Sequence, residues 1–363
     1  MNPKIVFTGG GTAGHVTPNI ALIKEFQQDG WDIAYVGSAD GVEKNMIESL
    51  AIPFHAISSG KLRRYFSLKN FLDPFKIIWG ILQSFFLMLR LKPDVVFSKG
   101  GFVAFPVVVG AYLNRIPVVA HESDISPGLA NRLCFPFVNK ICLTFEAAKK
   151  YFKNLDKIEV TGTPIRQQLF TGSANKGLQL CGFSADKPCI LVIGGSMGAA
   201  SINTCIRESL KQLTQNFQVI HICGKGKLDT TLLNLACYYQ FEYANEELAD
   251  LFAAAEIVVS RSGANSLYEI LALGKPHILI PLSAKVSRGD QIQNARYFKN
   301  LGISVVIDDE ALTSETLLQA VQQVSQNKSD IVHKIKAVHI ASASEKIVAI
   351  IKEQARVQSP KTV

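Results

Sequence analysis

Short apolar runs rich in β-branched residues alternate along the chain with segments in which apolar residues recur at helical spacing. Continuous apolar runs of this length are typical of strands that are buried on both faces of a parallel sheet. The alternation of strand and helix therefore predicts an α/β fold built on parallel sheets. The clearest predicted strands are Ile5–Phe7, Asp94–Phe97, Pro117–Ala120, Lys157–Val160, Ile190–Ile193, Gln218–Ile222, Ile257–Ser260 and His277–Ile280.

The order of predicted elements starts again in the middle of the chain. The segment IVFTGGGTAGHVTPNIA, which begins at Ile5, is echoed by CILVIGGSMGAASINTC, which begins at Cys189. Both segments combine a strand, a glycine loop and a helix. We therefore expect two Rossmann-like domains with a cleft between them, one over residues 1–163 and one over residues 164–339. Turn residues cluster in VTGTPIR, Val160–Arg166, which is the predicted linker.

The first glycine loop predicts a phosphate site. Gly9, Gly11 and Gly14 fit the pattern G-x-G-x-x-G between a predicted strand and a predicted helix. Such a loop lets backbone N–H groups and the positive end of a helix dipole approach a phosphate. A dinucleotide site also requires an acidic residue at the end of the second strand, but a glycine and a serine follow the strand predicted near Asp32–Val36. An NAD-dependent oxidoreductase and a tight turn without a ligand remain as alternatives.

A second candidate anion site lies in SRSGANSLYEILALGKP, which begins at Ser260. It combines a predicted strand end, a loop of small residues and a helix, so its N–H groups favour an anion. Glu269, in the early turns of that helix, is suited to accept hydrogen bonds from a ribose diol. The alternative is an acid that only stabilises the helix start. Further on, Asp290, Gln291 and Asn294 share a predicted helix face that is suited to sugar hydroxyls or to solvent.

Composition narrows the class of protein and of partner. The 363 residues are 48% apolar and 19% charged, with a net charge of +8. These values indicate a globular chain whose partner is acidic, such as a phosphorylated substrate, an anionic lipid or a nucleic acid. Seven cysteines without a C-x-x-C pair predict reduced core thiols, and the lack of H-E-x-x-H spacing predicts no metal site. The first predicted strand begins so close to Met1 that no signal peptide is expected.

One apolar and basic segment stands apart. Residues 61–100 contain eight Lys and Arg against two Asp and Glu, and apolar residues recur there at steps of four and three. A buried core helix and an interfacial helix on an anionic membrane are both open interpretations. A transmembrane span is disfavoured, because the unbroken apolar stretch is shorter than the about 20 residues required. The interfacial interpretation predicts membrane contacts from Phe75, Ile78, Trp79, Leu82, Phe85, Lys69 and Lys76.

The motifs together resemble the MurG family of peptidoglycan glycosyltransferases over nearly the whole chain. They stand in the family's order and spacing: GGGTAGHVTPNIAL, KPDVVFSKGGFVAFP, IPVVAHESDISPGLANR, VTGTPIR, GGSMGA, SRSGANSLYE and GDQIQNA. The resemblance implies a GT-B fold. It also implies that the C-terminal residues, about 340–363 with a helix over Ser344–Ala355, pack on the N-terminal domain.

The implied reaction is inverting transfer of GlcNAc from UDP-GlcNAc to the C4 hydroxyl of MurNAc in undecaprenyl-pyrophosphoryl-MurNAc-pentapeptide (lipid I). The product is lipid II, and the family uses no cofactor and no bound catalytic metal. A UDP-GlcNAc epimerase of the same fold is the alternative. The implied enzyme is peripheral, on the cytoplasmic face of the bacterial inner membrane. Its implied partners are UDP-GlcNAc, lipid I, anionic phospholipid, and proteins of cell-wall synthesis and division, with no nucleic acid.

The resemblance also assigns binding residues. The acceptor diphosphate is expected on the loop of Gly10, Gly11 and Gly14. Two positions depart from many family members: Asp124 replaces an Asn and lacks its amide donor, and Phe102 replaces a Tyr and lacks its hydroxyl. The family's donor contacts map onto Thr12, Ala13, Gly14, Asp124, Arg166, Ser196, Asn245, Ala264, Asn265, Ser266, Leu267, Tyr268, Glu269 and Gln291.

Inversion requires a base that takes the proton of the C4 hydroxyl. His15 is the predicted base, since a helix N-terminus favours the neutral imidazole that can accept a proton. Glu122 and Asp124 are the alternative bases. His15 could instead contact phosphate or cap the helix without transferring a proton.

Overall fold

The structure is a computed structural model that describes residues 2–60, 73–195, 198–338 and 343–356. Its first half contains a seven-stranded parallel sheet with the order β3-β2-β1-β4-β5-β6-β7. The order reverses between β1 and β4, and ligands of open parallel sheets bind beyond the carboxyl ends of the strands at such a point. The strands are β1 (Lys4–Thr8), β2 (Asp32–Ser38), β3 (Phe54–Ile57), β4 (Val95–Ser98), β5 (Val118–Glu122), β6 (Lys140–Leu143) and β7 (Ile158–Val160).

Helices cover both faces of this sheet, because successive side chains of a buried strand point to opposite faces. Phe7 packs in a cluster with the first and the last described helices, whereas its neighbour Val6 packs with Val107 of the fourth helix. The helices are α1 (Thr17–Gln28), α2 (Val42–Glu48), α3 (Asp73–Leu91), α4 (Ala104–Leu113), α5 (Leu129–Cys134) and, at the end of the described chain, α13 (Ala343–Arg356).

The second half contains a six-stranded parallel sheet with the order β10-β9-β8-β11-β12-β13. The order matches that of the first six strands, so β8 has the central place that β1 has in the first sheet. Its strands are β8 (Cys189–Ile193), β9 (Gln218–Ile222), β10 (Tyr238–Phe241), β11 (Ile257–Ser260), β12 (His277–Leu279) and β13 (Val305–Val306). Its helices are α6 (Ala174–Cys181), α7 (Ala200–Asn216), α8 (Leu248–Ala254), α9 (Ala264–Ala272), α10 (Asp290–Asn300), α11 (Ser314–Gln326) and α12 (Lys328–Ala337).

The contacts within the chain divide it into two compact units, with the boundary between Ile165 and Arg166. Helix α13 belongs to the first unit, where Ile347 and Ile351 are fully buried in the same cluster as Phe7. The predicted α/β class with two Rossmann-like parallel sheets is confirmed. All seven cysteines are free thiols, and six of them are buried.

Candidate active site

Two glycine loops lie side by side at the carboxyl edge of the first sheet, one after β1 and one after β4. The N–H of Gly10 donates to the carbonyl oxygen of Gly100 over 3.3 Å. Gly101 has a φ of +87°, and a Cβ added there would lie 2.2 Å from the carbonyl oxygen of Gly10. Only glycine fits at this position, because another residue would be strained and would also collide. The two loops therefore form one backbone surface where the sequence predicts a phosphate site.

A buried carboxylate that the sequence analysis missed lies behind the first loop. Glu43, in the first turn of α2, is fully buried. Its Oε2 accepts the N–H of Gly11 at 3.1 Å, and its Oε1 accepts the N–H and the hydroxyl of Ser38 at 3.0 and 2.5 Å. The amides of Gly10 and Gly11, predicted to hold the acceptor diphosphate, thus both donate to protein atoms. Diphosphate binding by this loop stays a prediction.

The outer part of the loop carries the other predicted contacts. Thr12 and Gly14 are exposed, and Ala13–His15 form a single 3₁₀ turn that directly precedes α1. The first amides of a helical turn have no acceptor within that turn, so Thr12 and Ala13 are the loop positions suited to an anion. His15 is half-buried at the end of the turn. The predicted base therefore lies next to the part of the loop that is accessible.

Glu122, the alternative base, organises the loop that follows β5. It is 3% exposed. Its Oε1 accepts the N–H of Asp124 at 2.9 Å, and its Oε2 accepts from the N–H of Gly128 and the Nδ2 of Asn131 at 3.0 and 2.8 Å. Because both oxygens bind loop donors, the contacts of Glu122 are those of a structural residue. The half-buried Asp124 is placed by this arrangement.

Lys99 is the second buried charged residue that the sequence analysis missed. It follows β4 directly, beside the second glycine loop, and is 1% exposed. Its Nζ lies 2.6 Å from Nδ1 of His121, 2.5 Å from Oγ of Ser123 and 3.5 Å from Oγ1 of Thr163. Burial lowers the pKa of Lys99 to about 7, against the opposing effect of the carboxylate charges of Glu122 and Asp124. The one sequence signal was a lysine directly after an apolar strand, in VVFSKGG.

Two residues predicted to bind the donor pair with each other in the second unit. Glu269 on α9 is 8% exposed, and its two carboxylate oxygens accept from Nε and Nη2 of Arg166 at 3.0 and 3.1 Å. This bidentate geometry fixes the carboxylate in one orientation. Arg166 is also the last residue of the predicted linker and the first residue of the second unit. The structure thus joins two predicted contacts that lie far apart in the sequence.

The start of α9 contains the rest of the predicted Ala264–Glu269 segment. Ala264, Asn265 and Ser266 form the first turn, whose amides lack acceptors within the helix. Leu267 and Tyr268 are buried, so only the backbone at those two positions remains for a ligand. Burial raises the pKa of Tyr268 to about 12, so its phenol stays neutral in the core.

The predicted polar face of α10 is largely used by the protein. Asn294 is fully buried and its Nδ2 donates to the carbonyl oxygen of Ser262 at 3.2 Å. The Oε1 of Gln291 accepts the N–H of Leu282 at 3.0 Å. Asp290 forms an ion pair with a neighbouring arginine. The hypothesis that Asn294 binds sugar hydroxyls is therefore wrong, because its buried amide holds the loop before α9.

Asn245 is exposed after β10, and its N–H donates to Oε2 of Glu247 at 3.2 Å. Ser196 and Lys69 lie outside the described residues. Across the described ranges, no cluster of three or more His, Cys, Asp and Glu side chains has the arrangement of a metal site.

Helix α3 presents an apolar face that no described residue covers, which we call the α3 patch: Phe75, Ile78, Trp79, Leu82, Phe86 and Leu89, with exposures between 45% and 68%. The opposite face packs closely through small residues, since a Cβ on Gly80 would lie 2.1 Å from the carbonyl oxygen of Ser58. The interpretation as a buried core helix is therefore wrong. Phe85 is half-buried, and Lys76 is exposed. By length and composition alone, the 19-residue helix meets the requirements of a membrane span, contrary to the sequence estimate.

The two halves of the chain match two parts of one enzyme family. The sequence model of the Glycosyltransferase family 28 N-terminal domain matches residues 5–143, and that of the Glycosyltransferase family 28 C-terminal domain matches residues 189–353. A protein of Legionella pneumophila strain Paris is 74% identical over 363 residues, which is 100% of both chains. It is named UDP-N-acetylglucosamine--N-acetylmuramyl-(pentapeptide) pyrophosphoryl-undecaprenol N-acetylglucosamine transferase. A protein of Clostridium tetani with the same name is 49% identical, covering 97% of this chain and 98% of its own.

Solved structures agree on the fold. The crystal structure of Acinetobacter baumannii MurG matches with a TM-score of 0.76 and 24% identity, covering 97% of this chain and 100% of that chain. A UDP-GlcNAc 2-epimerase of Neisseria meningitidis, bound to UDP-GlcNAc, matches with a TM-score of 0.66 and 14% identity, covering 97% and 100%. At these identities the two likenesses bear on the fold alone.

Proposed function

Because the chain belongs to glycosyltransferase family 28, we propose that it transfers GlcNAc from UDP-GlcNAc to the C4 hydroxyl of MurNAc in undecaprenyl-pyrophosphoryl-MurNAc-pentapeptide, making lipid II for peptidoglycan. One observation carries this conclusion: 74% identity over the full length to a protein named for this transfer. The epimerase alternative has support only from a distant fold neighbour. The oxidoreductase hypothesis for the first glycine loop gives way to the family assignment.

The second unit has features that suit a nucleoside diphosphate. The carboxylate of Glu269, fixed by Arg166, is suited to accept both hydroxyls of a ribose. The first-turn amides of Ala264 to Ser266 lie one helical turn earlier and suit the diphosphate. These donors would stabilise the negative charge that develops on departing UDP.

The transfer is a displacement at the anomeric carbon. The C4 oxygen of MurNAc forms the new glycosidic bond on one face, while the bond to the UDP oxygen breaks on the other and UDP leaves with the electron pair. The C4 hydroxyl loses its proton in this step, so a base must accept it. We assign this role to His15, because it lies beside the accessible part of the glycine loop, whereas Glu122 is enclosed by loop donors.

We further propose that the enzyme works at the cytoplasmic face of the inner membrane as a peripheral protein. The acceptor carries an undecaprenyl chain that stays in the bilayer, so the enzyme must reach the headgroup region. The α3 patch supplies an apolar face for this contact, with Lys76 and Arg90 as exposed basic residues on the same helix. Proteins of cell-wall synthesis and division are the expected protein partners.

Product analysis tests the proposed activity. The full chain is incubated with UDP-GlcNAc alone and then with UDP-GlcNAc and lipid I in detergent. The transferase proposal expects release of UDP and formation of lipid II only when lipid I is present. Formation of a UDP-sugar epimer in the first incubation would favour the epimerase and overturn the proposal, as would the absence of any reaction in both.

A further inference from the structure

The most unusual charge in the first unit is the buried Lys99. A lysine is almost never fully buried unless it is paired, yet the atoms around its Nζ belong to neutral groups of His121, Ser123 and Thr163. These groups come from the ends of β5 and β7, so Lys99 ties together three strand ends of one sheet.

The hydrogen bonds assign the ionised form to Lys99. The Nε2 of His121 lies 2.8 Å from the carbonyl oxygen of Gly162 and must donate to it, so its Nδ1 accepts. The burial of His121 holds its pKa well below the usual range, and the ring is neutral. Three acceptors then face the three N–H groups of an ammonium. A buried ammonium requires a countercharge nearby.

Two carboxylates can supply that countercharge, Glu122 and Asp124. Glu122 has the larger electrostatic effect on the pKa of Lys99, and its Oε1 accepts the N–H of Asp124 at 2.9 Å. Asp124 directly follows Ser123, whose hydroxyl holds the Lys99 ammonium at 2.5 Å. Asp124 is half-buried, so its side chain has access to a ligand.

We propose that Lys99 is a positioning residue that orients Asp124 toward the sugar of the donor, through the Ser123 contact and through opposite charge. The inference rests on the proposed transferase function and on the assignment of Asp124 to the sugar of UDP-GlcNAc. Lys99 itself touches no substrate, because it is enclosed by the sheet and its loops. Recognition of the sugar by Asp124 would then depend on the charge of the buried Lys99.

A double-mutant cycle tests the proposal with the full chain. We expect Lys99→Met and Asp124→Ala each to weaken UDP-GlcNAc binding about tenfold, a size typical of coupled neighbours. We expect the double variant to lose no more than either single variant. UDP, which lacks the GlcNAc group, should bind the wild type, the two single variants and the double variant equally. Additive losses, or equal losses for UDP and UDP-GlcNAc, would show that Lys99 only supports the fold.

Two further variants serve as a charge control and as a replacement for Lys99→Met. Lys24→Met removes an exposed lysine of α1 and serves as the matched charge control. If Lys99→Met does not fold, Ser123→Ala takes its place in the cycle, because it removes the hydroxyl that binds Lys99 in the residue before Asp124. Calorimetry separates the two levels of failure. Wild-type protein that does not bind UDP-GlcNAc would contradict the proposed function, whereas binding with an additive cycle would contradict only the role of Lys99.

Discussion

At the residue scale, Arg166 fixes the orientation of the Glu269 carboxylate, which we propose as the ribose contact. An oriented, partly buried Glu269 loses less conformational freedom on binding than a free side chain would. The side chains of Arg166 and Glu269 are 26% and 11% exposed, so the ion pair is mostly buried. The residue most suited to ribose is therefore also one that the protein holds rigidly.

We predict that Glu269→Ala weakens UDP binding by about 1.5–3 kcal/mol, the size of hydrogen bonds to a charged group. The variant also leaves Arg166, itself a predicted donor contact, without its partner, so Glu269→Gln, which keeps the length of the side chain and removes its charge, is the matched comparison. Titration calorimetry with UDP measures both. Unchanged UDP affinity in Glu269→Ala would remove Glu269 from the donor site.

We predict that His15→Ala lowers turnover about a hundredfold or more, the usual size of a general-base effect, with donor affinity nearly unchanged. Initial rates with lipid I and calorimetry with UDP-GlcNAc measure the two quantities. Asn19→Ala, a buried neighbour on α1, controls for damage to the loop. Full turnover would transfer the base role to another residue, and a collapse of donor affinity would make His15 a binding residue.

Sequence patterns located these residues but missed Glu43 and Lys99. The glycine loop and Glu269 stand within short contiguous motifs, so local spacing was sufficient to find them. Glu43 is 32 positions from Gly11, and the acceptors of Lys99 come from two other strands. A buried charge of this kind depends on which strand ends the fold brings together. Local sequence patterns do not contain that information.

At the element scale, α3 shows what periodicity can and cannot predict. The steps of four and three between apolar residues predicted the helix, and the structure places it at Asp73–Leu91. The helix is apolar nearly all round, so the pattern alone did not say which face is buried. The signal that decides the packing is the pair of small residues Gly80 and Ser84, which lies with Met88 on the buried face. Small residues allow α3 to approach α4 closely, and this leaves the large side chains exposed.

We predict that Trp79→Ser with Leu82→Ser abolishes most binding to anionic vesicles, because it removes two large apolar side chains from the α3 patch. Liposome flotation of the full chain measures the bound fraction. Leu233→Ser with Leu235→Ser removes two exposed apolar residues of the second unit and is the matched control. High salt should release part of the wild-type protein from the vesicles, because salt screens the attraction of Lys and Arg to anionic lipid. Equal binding by the two double variants would place the membrane contact elsewhere.

At the scale of the whole molecule, the last described helix completes the core of the first sheet. Six residues of α13 lie in the cluster that contains Ile5, Phe7 and Phe97. Lys352 adds an ion pair with Asp29 of 2.7 Å. The model of the family's C-terminal domain matches residues 189–353. It therefore includes most of α13, although this helix packs in the first unit.

We predict that Ile351→Ala destabilises the first unit by about 2–5 kcal/mol, because it leaves a cavity at a fully buried position. Hydrogen exchange should then show lost protection in β1 and β4 but retained protection in β8 and β11. Leu301→Ala, at an exposed position of the second unit, is the control. Equal loss of protection in both sheets would mean that the two units unfold as one.

The place of α13 in the first unit has a consequence for synthesis on the ribosome. The first sheet is complete in the nascent chain at Val160, yet the helix that covers one of its faces begins at Ala343, 183 residues later (343 − 160). At about 5–20 residues per second this interval is roughly ten to forty seconds. During it the apolar surface around Phe7 and Phe97 is covered by α1 but lacks α13. We therefore expect chaperones to bind the unfinished chain, and proteases to remove products that terminate before α13.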